Sequence, residues 1–184
     1  MIMLVAGGDS IIWGSELEDS PHGGPNGYSK KTFAAHLAGK HYMCVAYPGI
    51  GNQEIARRIK EVLSWIPPTG VLVCWTWPTR DNQIDADEYI LDMQEYLEYH
   101  KISYLFTCVD NCVVTQNPNI HWENWYLFPP STNKHDTCVP RGFYQWAVEN
   151  KYSIGVDGHP LEQAHRDAAK LIKEKFNELV KKSI

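Results

Sequence analysis

Two short stretches near opposite ends of the chain carry the residue types that nucleophilic acyl chemistry needs. Gly8-Asp9-Ser10 follows the first apolar run, and Asp157-Gly158-His159-Pro160 precedes the last long helical pattern. A serine hydroxyl is a weak nucleophile until a base takes its proton, and an imidazole is such a base near neutral pH. A carboxylate completes the set by orienting the imidazole and stabilising its charged form. Asp157 is the candidate for that role, with Ser10 as nucleophile and His159 as base. In an α/β fold the loops after the strands share one edge of the sheet, so residues from both ends of the chain can meet there.

The elements that would position them follow from periodicity. Ile2 to Ala6 is a continuous apolar run ending in glycines, as expected of a central strand buried on both faces. Tyr42 to Tyr47, Val71 to Thr76 and Ser103 to Val109 read as further strands. Between them lie helical stripes: Phe33, Ala34, Leu37 and Ala38 after an expected cap at Ser29, and Ile55, Ile59, Val62, Leu63 and Ile66 after an expected cap at Asn52. Tyr89, Ile90, Met93, Tyr96 and Leu97 form a third, capped by Asp85 and running to His100. A Gly/Pro/Asn-rich loop covers 20–28, a short helix is expected over 142–150, and a long one over 160–182. Strands alternating with helices give βαβ units, hence an α/β flavodoxin-like three-layer sandwich with a parallel sheet of four to five strands. The stretch 110–141 is irregular and aromatic, and long irregular segments in compact domains are often functional or lid-like.

The sequence resembles the SGNH hydrolase (GDSL esterase/lipase) superfamily. Gly8-Asp9-Ser10-Ile11-Ile12-Trp13-Gly14 fits the first block, GDSxxxG, and Asp157-Gly158-His159-Pro160 with His165 resembles the last, in its DxHPxxxxH form. Tyr47-Pro48-Gly49-Ile50-Gly51-Asn52 stands where the glycine block would fall, and Val71 to Pro78 where the strand ending in GxND would fall. The resemblance runs in order along residues 1–184, read as one domain. It implies the same sandwich fold and a serine ester hydrolase that uses no metal and no organic cofactor. It also implies an oxyanion hole, for which Ser10, Gly51 and Asn52 are the candidates. Glycine lets a backbone N–H approach a substrate closely, although Gly51 and Asn52 could equally shape and cap the following helix. His165 reads as a packing residue.

Two departures from the family pattern bear on activity. Trp75-Thr76-Trp77-Pro78 replaces the GxND block and its asparagine donor. The acid-to-base spacing is D-x-H where D-x-x-H is commoner, so a Ser10–His159 dyad or Asp110 as acid are alternatives. These departures motivate a second reading, a non-catalytic SGNH-like domain that binds a saccharide or serves an assembly. For the hydrolase, a small acyl ester is expected, with an acetylated carbohydrate as one candidate. Trp13 and Arg80 would flank the site; Arg80 could hold an anionic or sugar substrate, or simply pair with Asp81 or Asp85. Trp122, Trp125, Tyr126, Phe128, Tyr144 and Trp146 could stack on sugar rings or pack a lid onto the core.

Composition bounds the rest. The 184 residues suit one core, and 43% hydrophobic content exceeds what a disordered chain carries. A net charge of -5 lacks the basic face that nucleic acid requires, and the lysines of 170–182 alternate with Glu174 and Glu178. Five irregularly spaced cysteines, three of them in strand-like runs, fit a reducing compartment better than a disulfide scaffold. Cys108, Cys112, His121 and His135 lack the paired C-x-x-C spacing of a zinc site. No apolar run approaches a membrane span, and no signal-peptide core precedes Ser10, so the expected location is the cytoplasm, with release or packaging left open.

Overall fold

A computed structural model of the chain describes residues 3–20, 27–130 and 139–181. Ile2, most of the Gly/Pro-rich loop, His135, Cys138 and Lys182 lie outside the described residues. Four parallel strands form one sheet in the order β2-β1-β3-β4: β1 (Leu4–Gly7), β2 (Tyr42–Cys44), β3 (Gly70–Trp75) and β4 (Tyr104–Cys108). The chain leaves β1 toward β2 on one side and later returns past it to β3 on the other. That reversal opens a crevice beyond the carboxyl ends of β1 and β3, where α/β proteins place their ligands.

The strands alternate their side chains between two cores. Leu4, Ala6, Leu72, Cys74 and Leu105 face α1 (Ser10–Trp13), α2 (Phe33–Ala38), α5 (Phe143–Glu149) and α6 (Glu162–Lys181). Val5, Val71, Val73, Trp75 and Phe106 face α3 (Asn52–Leu63) and α4 (Asp87–Tyr99). Helices thus cover both faces of an all-parallel sheet, giving the three-layer α/β/α sandwich. No described helix is long and apolar enough to cross a membrane.

Three local expectations are corrected. Thr32, not Ser29, caps α2 by accepting from Ala35 N at 3.2 Å. Gly51, not Asn52, holds the cap position of α3, and it has no side chain to offer. The acceptor comes instead from Asp81, whose carboxylate takes Asn52 N at 2.6 Å and Gln53 N at 3.4 Å. Gly51 is required for that approach, since a Cβ there would lie 2.1 Å from Asp81 Oδ1. Ala86, not Asp85, holds the cap position of α4; Asp85, one residue earlier, accepts from Asp87 N at 3.2 Å.

The irregular segment contributes packing. Trp125 forms a parallel bridge beside Phe106 of β4, and Phe128 pairs with Arg141; both are isolated bridges, and no fifth strand forms among the described residues. Trp125, Phe128 and Trp146 are buried in the two cores.

Candidate active site

Ser10 sits at the first turn after β1, and its position is set by Asp9. The Asp9 carboxylate is fully buried, accepts from Ile11 N at 2.9 Å and Thr76 Oγ1 at 2.7 Å, and is ion-paired with Arg80 Nη1 at 3.2 Å. A buried charge persists only when paired and hydrogen-bonded, and all three partners supply that. Asp9 therefore ties the Ser10 turn to the end of β3 and to the short 3₁₀ turn Pro78–Asp81 that follows it.

His159 arrives from the loop before α6. Its Nε2 lies 2.9 Å from Ser10 Oγ, so the two terminal motifs meet across 149 residues of sequence at hydrogen-bond distance. Its Nδ1 lies 2.8 Å from Oε2 of Glu16. The backbone N–H of His159 also donates to Glu16 Oε2, at 3.1 Å, and that of Asp157 donates to Glu16 Oε1 at 2.8 Å.

The acid on the imidazole is thus Glu16, a correction to the expectation for Asp157. The physical reason is the turn itself. Gly155 N donates to His159 O, and Gly158 N to Gly155 O, so the 155–159 loop curls with its N–H groups aimed at Glu16. Asp157 lends its backbone N–H to that cradle, while the residue itself is exposed. Gly155 makes the space: a Cβ there would sit 2.5 Å from the Glu16 carboxylate. Glu16 adopts φ +66°, a left-handed conformation rare for a residue with a side chain, and such strain collects at functional sites.

Burial pushes the Glu16 carboxyl up, but the Asp157 N–H, the His159 ring and the His159 N–H outweigh it. Its pKa is held below the usual glutamate value, so it is a carboxylate at neutral pH. Sequence reasoning missed Glu16 because the local D-x-H pair drew the assignment to Asp157. The available signal was an acidic residue just beyond the GDSxxxG turn, six positions after the serine.

The remaining expected residues separate. Ser10, Arg80, Asp157 and His159 line one cleft of about 270 Å³ together with Ile11, Trp77, Tyr144 and Gly158. Of the six aromatic residues singled out in and after the irregular segment, Tyr144 is in that lining. Trp13 is not in it; Trp13 packs edge-to-face against Tyr28 and Tyr47. Arg80 pairs with Asp9, not with Asp81 or Asp85.

Asn52 is fully buried, and its carboxamide clamps the backbone of Thr76: Oδ1 accepts Thr76 N at 2.9 Å, and Nδ2 donates to Thr76 O at 3.0 Å. Its side chain locks β3 to α3 in place of the expected capping role, and one Nδ2 hydrogen stays uncommitted. Among the described residues no group accepts from the N–H of Ser10 or of Gly51.

His165 packs as expected. It stacks on Phe33, accepts from Phe33 N at 3.1 Å, and burial lowers its pKa to about 3. Of the imagined zinc ligands, His135 lies outside the described residues, Cys108 is buried in β4, Cys112 is exposed, and His121 bonds Glu98 at 2.7 Å. No cluster of three or more potential metal ligands occurs among the described residues. Cys44, Cys74, Cys108 and Cys112 are free thiols, and burial raises the pKa of each.

No protein-family model matches the sequence, and comparison with curated proteins finds no match. Among solved structures, the chain is similar to the psychrotrophic esterase EstA from Pseudoalteromonas sp., in a crystal structure inhibited by monoethylphosphonate. The TM-score is 0.62 at 12% sequence identity, over 99% of this chain and 98% of that one. At that identity the likeness establishes the shared α/β fold over the whole length of both chains.

Proposed function

We propose that the protein is a serine ester hydrolase of SGNH type with a Ser10–His159–Glu16 triad. The observation that carries this reading is the continuous relay from Ser10 Oγ through both ring nitrogens of His159 to Glu16, at 2.9 and 2.8 Å. Its support from comparison is that a structural neighbour is an esterase inhibited by monoethylphosphonate.

In this reading Ser10 Oγ attacks the ester carbonyl carbon while its proton passes to His159 Nε2. The carbonyl π-pair moves to oxygen, giving a tetrahedral oxyanion. Collapse of that oxyanion breaks the bond to the alcohol oxygen, which takes the proton from His159 and leaves. Water then attacks the acyl-serine, gives its proton to His159, and the second collapse returns Ser10 with its hydrogen and releases the acid. Glu16 stabilises the imidazolium in both halves. Candidate oxyanion donors are the N–H groups of Ser10 and Gly51, unpartnered among the described residues, and the second Nδ2 hydrogen of Asn52.

The cleft of about 270 Å³ favours a small acyl group, and an acetylated carbohydrate remains within this reading. No resident metal or organic cofactor has a step in it. The test is hydrolysis of 4-nitrophenyl acetate by the wild-type protein and by Ser10→Ala. Turnover that the substitution abolishes supports the reading, and equal rates overturn it.

A further inference from the structure

We infer that Arg80 is an anion-recognition residue of this cleft, and that the preferred ester carries a carboxylate or similar planar oxyanion near the scissile bond. This rests on the hydrolase reading for the word ester. The anion site itself rests on how the guanidinium is held.

Both polar contacts that the Arg80 guanidinium makes among the described residues use a single nitrogen. Nη1 lies 3.2 Å from Asp9 Oδ2 and donates to Ile50 O at 3.2 Å. Nε and Nη2, which share the side edge of the guanidinium, have no acceptor among the described residues. That edge is a two-pronged donor whose spacing matches the two oxygens of a carboxylate or of a phosphate.

The plane of the fork is fixed as well. The guanidinium lies over the Trp77 ring at 5.3 Å, and Trp77 meets Tyr144 edge-to-face at 6.4 Å. Trp77, Arg80 and Tyr144 all line the cleft that holds Ser10 and His159. The arginine is thus oriented before any ligand arrives, by a buried carboxylate, a carbonyl and an indole. An arginine kept only to balance Asp9 would need none of this orientation, since a lysine could supply the charge. Preorganisation of this kind lowers the entropy cost of binding an anion there.

The anion could belong to the acyl part or to the alcohol part of the ester, and two charged probes distinguish them. Mono-4-nitrophenyl succinate carries its carboxylate on the acyl side and 4-acetoxybenzoate on the alcohol side. Their neutral counterparts are 4-nitrophenyl acetate and methyl 4-acetoxybenzoate. Binding is measured calorimetrically or by NMR on the Ser10→Ala protein, which does not consume the probes. At least one charged probe should bind tenfold or more tightly than its neutral counterpart, and Arg80→Gln should remove that preference.

Because Arg80→Gln also leaves Asp9 unpaired, Arg80→Lys is the second variant. It keeps a charge opposite Asp9 but lacks the fork, so the preference should fall several-fold in a protein that melts as a folded chain. Equal binding of charged and neutral probes overturns the inference, as does a preference that survives both substitutions. Failure of the wild-type protein to hydrolyse any of these esters would instead count against the hydrolase reading, since the binding measurement does not depend on turnover.

Discussion

Replacing Glu16 by glutamine removes one charge and adds one donor in a place built entirely of donors. Oε1 faces the Asp157 N–H, while Oε2 faces the His159 N–H and Nδ1. A glutamine in either orientation turns its NH₂ toward at least one N–H. That buried mismatch costs about 1–3 kcal/mol of stability, or a melting temperature lower by roughly 2–10 °C for a domain of this size. The catalytic loss is larger. An imidazolium and a carboxylate about 4 Å apart, charge centre to charge centre, attract by ~4 kcal/mol at the effective dielectric of a partly exposed site. At 1.36 kcal/mol per decade that is ~10³-fold, and with partial exposure to water ~10²–10³-fold, in turnover. The assay is kcat on 4-nitrophenyl acetate, with Asp157→Asn as the control. Asp157 serves Glu16 through its backbone, which asparagine retains, so the control should stay within about threefold of wild type. Turnover of Glu16→Gln within about threefold of wild type would refute the reasoning, as would an equal loss in Asp157→Asn.

Asn52→Ala removes both hydrogen bonds to Thr76 and leaves its backbone groups unpaired in a buried place, so stability should fall by about 2 kcal/mol or more in denaturant unfolding; an unchanged midpoint would show that the clamp is dispensable. The His165 pKa of about 3 lies far below its unfolded value, so the unfolded chain binds a proton below pH ~6.5 that the folded chain refuses. Stability from this residue is fully present above pH ~6.5 and is lost as pH falls toward 3, at about 1.4 kcal/mol per unit. Denaturant unfolding at pH 6.5 and 5.5 should therefore show a larger loss for wild type than for His165→Asn, and parallel losses would contradict the assignment.

The sandwich was legible because each of its parts has a local signal. Leu4 to Gly7, Gly70 to Trp75 and Tyr104 to Cys108 are buried throughout, so their strands read as unbroken apolar runs. Ser10 and His159 were legible because a serine after a strand and a histidine before a helix sit in recognisable turns. Glu16 was not, because its role exists only through the 155–159 loop, more than 130 residues away, and neither stretch announces the other. The same holds for Asn52 and Asp81. Each bonds backbone groups of a distant segment, so nothing in the nearby sequence separates a helix cap from an inter-segment clamp.

The central claim is that Ser10 is an activated nucleophile, and covalent capture by a fluorophosphonate tests it most directly. Phosphonylation displaces fluoride and leaves a stable Ser–O–P bond, so intact-mass and peptide mass spectrometry report both the event and its position. The account predicts one adduct, on Ser10, absent in Ser10→Ala, and formed at least ~10²-fold more slowly in His159→Ala, because removing the base leaves an ordinary hydroxyl. No adduct on the folded wild-type protein, or an adduct on another serine with Ser10 untouched, would contradict it.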